Sequence, residues 1–286
     1  MRSKLFVPGS RPELFEKARR SAADAISFDL EDAVVAERKD EARRLVGAEI
    51  AARPTSGAQT TIVRVNSVGG GLFEADLHAV VRPGLDLVNL PKVEGEDEIR
   101  LAAERLESLE RERGVETPIG LLVNIETPRG LRNAYLLAGA SERVAGLQLG
   151  FGDLFEPLGI GRTQATLHHV RLACRLAAAE VGVPAYDGAF VGISDLAGFR
   201  LEAEAARALG LAGKSCVHPS QIAVANDVFM PTDGEISRAR RIVSVADEME
   251  SSGVGAFTVD GVMADGPFIA RAREILRVAE RARVDV

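Results

Sequence analysis

The stretch that decides the fold is residues 119–132, IGLLVNIETPRGLR. An apolar run of strand length, 119–125, is followed by the polar group Glu126-Thr127-Pro128 and then by a helical pattern over 130–138. An apolar run of this length, bounded by turn residues, is typical of a buried strand. The segment therefore predicts one strand–loop–helix unit with an acid at the carboxyl end of its strand.

The same unit recurs along the chain, as short apolar runs that alternate with amphipathic stretches. The strand candidates are 4–7, 25–28, 61–65, 87–90, 119–125, 144–149, 189–193 or just before it, and 214–217. The helix candidates are 11–21, 37–51, 72–81, 96–113, 130–138, 161–181, 195–209 and 221–229. Eight units in 286 residues predict an α/β protein with a (β/α)8 barrel, and a doubly wound open sheet is the alternative. The first strand is followed by VPGSRP, which is not the glycine fingerprint of a dinucleotide fold.

The residues after Asp233 are more than a barrel requires. A charged helix is predicted at 235–249 and a last helix at 268–283, with the turn-rich stretch GVGAFTVDGVMADGP between them. No linker-like segment divides the chain. We therefore predict a barrel over 1–230, and C-terminal helices with a lid segment over 231–286 as part of the same domain.

Composition limits the partners that the chain can have. The formal net charge of -7 and the absence of a dominant basic face argue against nucleic acid. The segment 11–20, RPELFEKARR, is a local basic cluster, either a solvated helix face or a site for an anionic ligand. No apolar stretch has the length of a signal peptide core or a membrane span, which predicts a cytoplasmic protein without a membrane partner. Cys174 and Cys216 have no motif spacing and are predicted to be reduced core thiols.

Polar residues collect where the strands end, and barrels of this kind keep their active sites at that end. These groups are Asp29-Leu30-Glu31-Asp32, Arg64-Val65-Asn66, Pro91-Lys92, Glu126-Thr127-Pro128, Gly152-Asp153 and His218-Pro219. Glu126 and Asp153 follow consecutive strands, which lie roughly 5 Å apart, so their carboxylates could share one Mg²⁺. Alternatively, Glu126 is a helix N-terminal acid and Asp153 caps the following turn.

Arg64 lies one residue inside the end of an apolar strand, where an unpaired guanidinium would be costly. It therefore needs an anion, either a protein acid or a substrate carboxylate bound by two hydrogen bonds. Asp29 and Glu31 are the candidate acids, and their alternation lets both face the same site. His218, at the end of the eighth strand, either acts as a base or begins a turn into the next helix.

These stretches resemble the citrate lyase beta-subunit-like branch of the HpcH/HpaI aldolase/citrate lyase family. The resemblance runs from residue 2 to about residue 267 through RSKLFVPGSRPELFEKA, FDLEDAV, VRVN, LPKVE, IETPRGLRNAYLLA, GDL, GKSCVHPSQI and GAFTVDGVMADGP. It implies a (β/α)8 barrel that assembles as a homotrimer or hexamer. It also implies Mg²⁺ as the cofactor and the cleavage or formation of acyl-CoA thioesters of 3-hydroxy dicarboxylic acids.

The resemblance also implies roles for individual residues. Glu126 and Asp153 match the metal carboxylates, and Arg64 matches the arginine that binds the substrate carboxylate and stabilises the enolate. Phe6, Arg11 and Lys17 fall where the family contacts substrate or CoA. Asp29 and Glu31 join Arg64 as expected substrate contacts because their alternation lets both face the same site. Asp265 matches the acid or base that a lid provides to a neighbouring subunit, and Asp260 ranks below it for that role.

The chain departs from the family pattern beside Asp153. Many relatives read G-A-E-D-L there, whereas this chain reads Gly150-Phe151-Gly152-Asp153-Leu154 and lacks the first acid. We expect a free-standing lyase for citramalyl-CoA, malyl-CoA or a close analogue, giving an α-keto acid and an acyl-CoA. The alternatives are a citrate lyase beta subunit acting on a carrier-bound citryl thioester, a malyl-CoA-type thioesterase, and a non-catalytic ligand-binding barrel.

Overall fold

The computed structural model describes residues 1–52, 59–250 and 256–284. Two compact units are present, Met1–Phe229 and Met230–Val286. The prediction that they form one domain stays a prediction. Within the described residues, no helix is both long and apolar enough to span a bilayer.

The first unit is built on eight parallel strands, of which the first seven each pair with the next along the chain and β8 pairs with β1. The strands are β1 (Ser3–Pro8), β2 (Ala25–Asp29), β3 (Thr60–Arg64), β4 (Leu87–Leu90), β5 (Gly120–Ile125), β6 (Val144–Leu149), β7 (Ala185–Tyr186) and β8 (Lys214–Cys216). The sheet order is β7-β6-β5-β4-β3-β2-β1-β8, and a parallel bridge between Asp187 and Lys214 joins its two ends. The (β/α)8 barrel is therefore confirmed, and the open-sheet alternative is wrong.

The seventh strand lies at the second of the two places that the sequence allows for it. The apolar run 189–193 is not a strand, and β7 lies just before it at Ala185–Tyr186. Val191 is 79% exposed and Ile193 is 50% exposed, so their apolar character does not reflect burial in the sheet. A strand of two residues gives too short an alternation to be read from a sequence.

Helices follow the strands on the outside of the barrel. They are α1 (Phe15–Arg19), α2 (Lys39–Ala51), α3 (Phe73–Val80), α4 (Glu96–Arg113), α5 (Pro128–Arg132), α6 (Ala134–Gly139), α7 (Phe151–Phe155), α8 (Gln164–Glu180), α9 (Leu196–Ala208) and α10 (Ser220–Phe229). The helix predicted over 11–21 is a 3₁₀ turn, Pro12–Leu14, followed by α1. The helix predicted over 130–138 is divided at Asn133 into α5 and α6, and α7 was not predicted.

Strand alternation separates the outer core from the barrel interior. Outward-facing apolar side chains pack against the helices, as Phe28 does against Phe15 at a ring distance of 4.8 Å. Cys174 and Cys216 lie in this core, buried and free, as predicted. At the β7–β8 junction, Lys214 and Arg171 both form ion pairs with the buried Asp187, which links this short edge to α8.

The second unit contains two helices and a hairpin. These are α11 (Asp233–Glu250), β9 (Phe257–Val259), β10 (Val262–Ala264) and α12 (Gly266–Val284). The hairpin was not predicted, although it turns at Asp260-Gly261, a dipeptide that favours such turns. Both residues have positive φ, 52° and 76°, which Asp tolerates and Gly adopts freely.

Candidate active site

Arg64 is clamped by acids at the carboxyl end of the barrel. It is in register with Asp29 on the neighbouring strand. Its Nε and Nη2 donate to the two oxygens of Asp29 at 2.8 and 2.6 Å, and Nη1 lies 2.8 Å from Glu31 Oε2. Burial disfavours the charged guanidinium, but Asp29, Glu31 and Asp32 outweigh this and raise the pKa of Arg64. Arg64 is thus a permanent, rigidly oriented cation.

The loop after β2 is held in place by hydrogen bonds between side chains and its backbone. Asp29 Oδ1 accepts a hydrogen bond from Glu31 N at 2.9 Å, and Oδ2 accepts one from Ala33 N at 3.1 Å. Lys39 donates to the carbonyl oxygens of Leu30 and Glu31 at 2.6 and 2.7 Å. The two acids that hold Arg64 therefore come from a preorganised turn.

Lys92, which follows β4, connects this acidic turn to the next strand ends. Its φ of 53° is in the left-handed region, and its N–H donates to Glu126 Oε1 at 2.7 Å. Its ammonium group contacts Glu31 and lies 3.3 Å from Asp32 and 3.5 Å from Asp153. Although burial opposes the charge, these acids raise the pKa of Lys92. One residue thus fixes the orientation of one acid and offsets the charge of three others.

Glu126 follows β5 and is 2% exposed. Its Oε2 accepts a hydrogen bond from Asn124 Nδ2 at 3.1 Å, so both of its oxygens have a donor. Burial, followed by repulsion from Asp153, raises the pKa of Glu126 to about 7. The cap of α5 is Thr127, whose Oγ1 accepts from Gly130 N at 2.9 Å. The Glu126 carboxylate is therefore directed toward the site and does not cap that helix.

Gly150, which follows β6, makes the room that the Glu126 carboxylate occupies. A Cβ at position 150 would lie 2.2 Å from Glu126 Oε2 and 2.6 Å from its Cβ. Asp153 stands three residues further along, in α7, with 37% of its side chain exposed. At Gly152, a Cβ would meet no atom within 4 Å, so there is space for a side chain at this position.

The donor set fits a hard divalent cation. Glu126 and Asp153 repel each other, and the space beside Glu126 is kept open by a glycine. In the described ranges, no group of three or more His, Cys, Asp or Glu side chains has the spacing of a metal site. Two carboxylates suit Mg²⁺, which keeps several of its waters and takes oxygen ligands from substrate.

The remaining predicted contacts differ in their surroundings. The Phe6 ring lies under two cations, with Lys4 Nζ at 4.2 Å and Arg64 Cζ at 5.2 Å from its centroid. Arg11 is exposed and paired with Glu13 at 2.7 Å, and Lys17 is exposed on α1. The structure therefore brings Phe6 together with Arg64, whereas Arg11 and Lys17 lie on the surface of the first unit.

His218 is placed as the start of a helix. Its Nδ1 accepts from Ser220 N at 3.2 Å and lies 2.8 Å from Ser220 Oγ, just ahead of α10. This geometry favours the turn interpretation over the role of a base.

Asp260 and Asp265 lie in the second unit. Asp260 pairs with Arg241 at 2.7 Å. Asp265 precedes α12, and its Oδ1 is buried without a hydrogen-bond partner among the residues that the structure describes. The rank of Asp265 above Asp260 as acid or base stays a prediction.

A groove of about 370 Å³ opens beside the Arg64 clamp. It is lined by Glu31, Asp32, Val34, Lys39, Asn66, Ser67, Gly70, Leu72 and Lys92. Sequence reasoning noted Lys92 and Asn66 only as polar strand ends and missed Lys39, Asn124 and Gly150. The signal for Asn124 was a polar residue inside the apolar run LLVNI, whereas nothing local distinguishes Lys39.

Comparison with known proteins places the chain in a family. The sequence model of the HpcH/HpaI aldolase/citrate lyase family matches residues 2–219. The chain is 37% identical over 282 residues to the citrate lyase subunit beta of Escherichia coli (strain K12), covering 98% of this chain and 93% of that protein. It is 32% identical over 305 residues to the L-malyl-CoA/beta-methylmalyl-CoA lyase of Rhodobacter capsulatus, covering 99% and 96%.

A solved structure of CitE from Mycobacterium tuberculosis, in complex with magnesium, acetoacetate and coenzyme A, matches with a TM-score of 0.75. The identity is 31%, and the match covers 98% of this chain and 100% of that chain. The fold, the ordered strand ends and these likenesses agree: the chain belongs to the HpcH/HpaI aldolase/citrate lyase family.

Proposed function

We propose that the chain is a Mg²⁺-dependent carbon–carbon lyase acting on a 3-hydroxy dicarboxylic acyl-CoA thioester of the citramalyl-CoA or malyl-CoA type. The products are an α-keto acid and an acyl-CoA. The observation that carries the proposal is the meeting of an acid-clamped Arg64 with the Glu126 and Asp153 carboxylates at one end of the barrel. The likeness to a malyl-CoA lyase and to a CitE bound to coenzyme A supports the substrate class.

Glu126 and Asp153 would hold the cation. When bound, Mg²⁺ supplies a Lewis acid for the hydroxyl and carboxylate oxygens of the substrate. Lys92 keeps Glu126 oriented through its N–H, and its ammonium group lies beside Asp153. The repulsion between the two carboxylates is one that a bound cation would relieve.

Arg64 binds and stabilises negative charge on the substrate. A guanidinium has more N–H groups than its contacts with Asp29 and Glu31 use, so donors remain for a carboxylate or a developing enolate. Because Asp29 holds the guanidinium in advance, little reorganisation is needed when charge develops. Direct substrate contact by Asp29 and Glu31 stays a prediction, and their contacts with Arg64 support a role in orienting the guanidinium.

The proposed reaction removes one proton from the substrate hydroxyl and delivers one proton to carbon, so a single acid–base group is sufficient. The base takes the proton of the substrate hydroxyl, and the carbon–oxygen double bond of the keto acid forms as the adjacent carbon–carbon bond breaks. The electron pair passes to the thioester fragment, where Arg64 stabilises it. A proton delivered to that carbon then gives the acyl-CoA. Asp265, whose Oδ1 has no hydrogen-bond partner among the described residues, is the proposed acid or base, provided by a neighbouring copy in a homotrimer or hexamer.

The proposal is tested by incubating the protein and Mg²⁺ with citramalyl-CoA and with malyl-CoA, and by following keto acid and free thiol together. Keto acid without free thiol, lost on addition of EDTA, is expected. A free hydroxy acid with free thiol would instead make the protein a thioesterase. No product from either substrate, with activity restored by an acyl-carrier partner, would make it a citrate lyase beta subunit.

Replacing Gly150 by Ala is expected to weaken Mg²⁺ binding at least about tenfold, because the new methyl group would lie 2.2 Å from Glu126 Oε2. The backbone at Gly150, with φ -119° and ψ 84°, accepts alanine, so the effect comes from the carboxylate and not from the turn. Titration calorimetry of the metal-free protein measures it. Gly152→Ala is the matched control, since a Cβ there meets nothing within 4 Å. Equal affinities in the two variants would contradict the placement of Glu126.

The affinity for Mg²⁺ is expected to depend on pH. A carboxylate must lose its proton to bind a metal, and burial and Asp153 raise the pKa of Glu126 to about 7 in the metal-free protein. Affinity should be constant above this pH and fall roughly tenfold for each pH unit below it. Calorimetry over about pH 5.5 to 8.5 measures the profile. A profile that is flat down to about pH 5 would show that Glu126 is not the titrating ligand.

A further inference from the structure

A line of buried polar side chains crosses the barrel interior and ends at Glu126. Lys4 on β1 and Asn124 on β5 are each 2% exposed, and Asn89 on β4 is fully buried. Lys4 Nζ donates to Asn89 Oδ1 at 3.3 Å, and Asn89 Nδ2 donates to Asn124 Oδ1 at 2.7 Å. Asn124 Nδ2 donates to Glu126 Oε2 at 3.1 Å. Polar groups without water are costly unless paired, so these links constrain one another.

The order of donors along this line is fixed by its first half. Asn89 Nδ2 donates to the carbonyl oxygen of Leu122 at 2.9 Å, and a carbonyl can only accept, so the NH₂ group of Asn89 faces β5. The amide oxygen of Asn89 is thereby left toward Lys4 Nζ. Asn124 must therefore present its amide oxygen to the NH₂ group of Asn89, which leaves its own NH₂ group toward Glu126. A flipped Asn124 amide would place two NH₂ groups against each other.

The two donors to Glu126 together determine how its carboxylate lies. Lys92 N holds Oε1 and Asn124 Nδ2 holds Oε2. Each oxygen of a carboxylate has a second lone pair, which remains for a cation. Fixed donors from outside the ligand set are what hold metal ligands in position in proteins.

We infer that Asn124 is a positioning residue for the metal site, held in its orientation by Asn89 and Lys4 from the opposite side of the barrel. The inference rests on the proposed function, in which Glu126 is a metal ligand. The alternative is that Asn124 only fills the barrel interior.

The neighbouring strand offers a matched control for the alternative. Gln148 on β6 is in register with Asn124 and is 3% exposed, so it occupies the same rung of the barrel. Its Oε1 has no hydrogen-bond partner among the residues described. Replacing Asn124 or Gln148 by Leu changes the packing of the barrel interior in a similar way. Only Asn124→Leu also removes a hydrogen-bond donor to Glu126.

The test measures the dissociation constant for Mg²⁺ by calorimetry on metal-free protein. Asn124→Leu is expected to weaken binding by about 10- to 100-fold, and Gln148→Leu by less than about 3-fold. Turnover of Asn124→Leu should recover in large part at saturating Mg²⁺, which a packing defect would not allow. Asn89→Leu frees the Asn124 amide to rotate. Its dissociation constant for Mg²⁺ should lie between those of Asn124→Leu and Gln148→Leu.

Equal binding in Asn124→Leu and wild type, or equal losses in Asn124→Leu and Gln148→Leu, would overturn the inference and leave the proposed function standing. If Asn124→Leu does not fold, Asn89→Leu decides: weakened Mg²⁺ binding supports the inference, and wild-type binding overturns it. A wild-type protein that binds no Mg²⁺ at all would overturn both the inference and the proposed function.

Discussion

Replacing Glu126 by Gln is expected to lower Mg²⁺-dependent turnover by at least about 1,000-fold and to remove measurable Mg²⁺ binding. The amide keeps the size of the side chain, so the difference is one of charge and of acceptors. Lys92 N and Asn124 Nδ2 both donate to Glu126, so the NH₂ group of a Gln has to face one of them. Steady-state rates, Mg²⁺ calorimetry and a thermal melt of the metal-free variant measure the outcome.

The melt should change little, because the substitution also removes the repulsion between Glu126 and Asp153. Glu110→Gln is the matched control. Glu110 is a buried acid on α4, paired with Arg143 at 2.7 Å and accepting from Ile119 N at 2.6 Å. We expect it to lose about 1.5 to 3 kcal/mol of stability while the folded fraction keeps its turnover. A Glu126→Gln variant that loses stability but retains Mg²⁺-dependent turnover would end the metal assignment.

The parts of the fold that the sequence predicted are those with long periodic signals. The run 119–125 became β5 because its alternating side chains fill the barrel interior on one side and pack against helices on the other. The run 189–193 has the same apolar character, yet Val191 and Ile193 are exposed and β7 lies just before the run, so hydrophobicity alone did not decide between the two places for this strand. A sequence window cannot distinguish an apolar run that is buried from one that faces outward.

The residues of the candidate site also fall into those that could be predicted from the sequence and those that could not. Glu126 and Arg64 were predictable because charged residues at the ends of apolar strands require a function or a partner. The choice between partner and substrate for Arg64 was not predictable, because it depends on the register that sets Arg64 beside Asp29. The role of Lys92 depends on a left-handed backbone, and that of Gly150 on a side chain from another strand. Contacts of this kind arise only when distant segments meet.

The acidic turn and Lys92 explain how one end of the barrel can hold so many charges. Arg64 and Lys92 alternate with Asp29, Glu31 and Asp32, so each acid has a nearby cation. Glu126 is the exception: it has no cationic side chain as an ion-pair partner among the described residues, and its pKa is raised to about 7. A buried acid in this state is one that a divalent cation would stabilise strongly.

Replacing Asp265 by Asn is expected to lower turnover by about 100- to 10,000-fold while KM and Mg²⁺ affinity change by no more than about threefold. The carboxylate is the proposed acid or base, and an amide cannot exchange a proton in that role. Asp265 O also accepts from Ile269 N at the start of α12, and Asn serves that helix position as well as Asp does. The expected loss of turnover would therefore not come from a disrupted start of α12. Rates over a pH series, with a melt of each variant, measure it.

Asp260→Asn is the control in the same hairpin. Asp260 has φ 52°, which Asn adopts readily, and its exposed pairing with Arg241 contributes little to stability. Turnover should stay within about twofold of wild type. Equal losses at both positions would mean that the hairpin as a whole matters and not the Asp265 carboxylate. A loss at Asp260 with none at Asp265 would move the acid–base role five residues back along the chain, to the turn between β9 and β10.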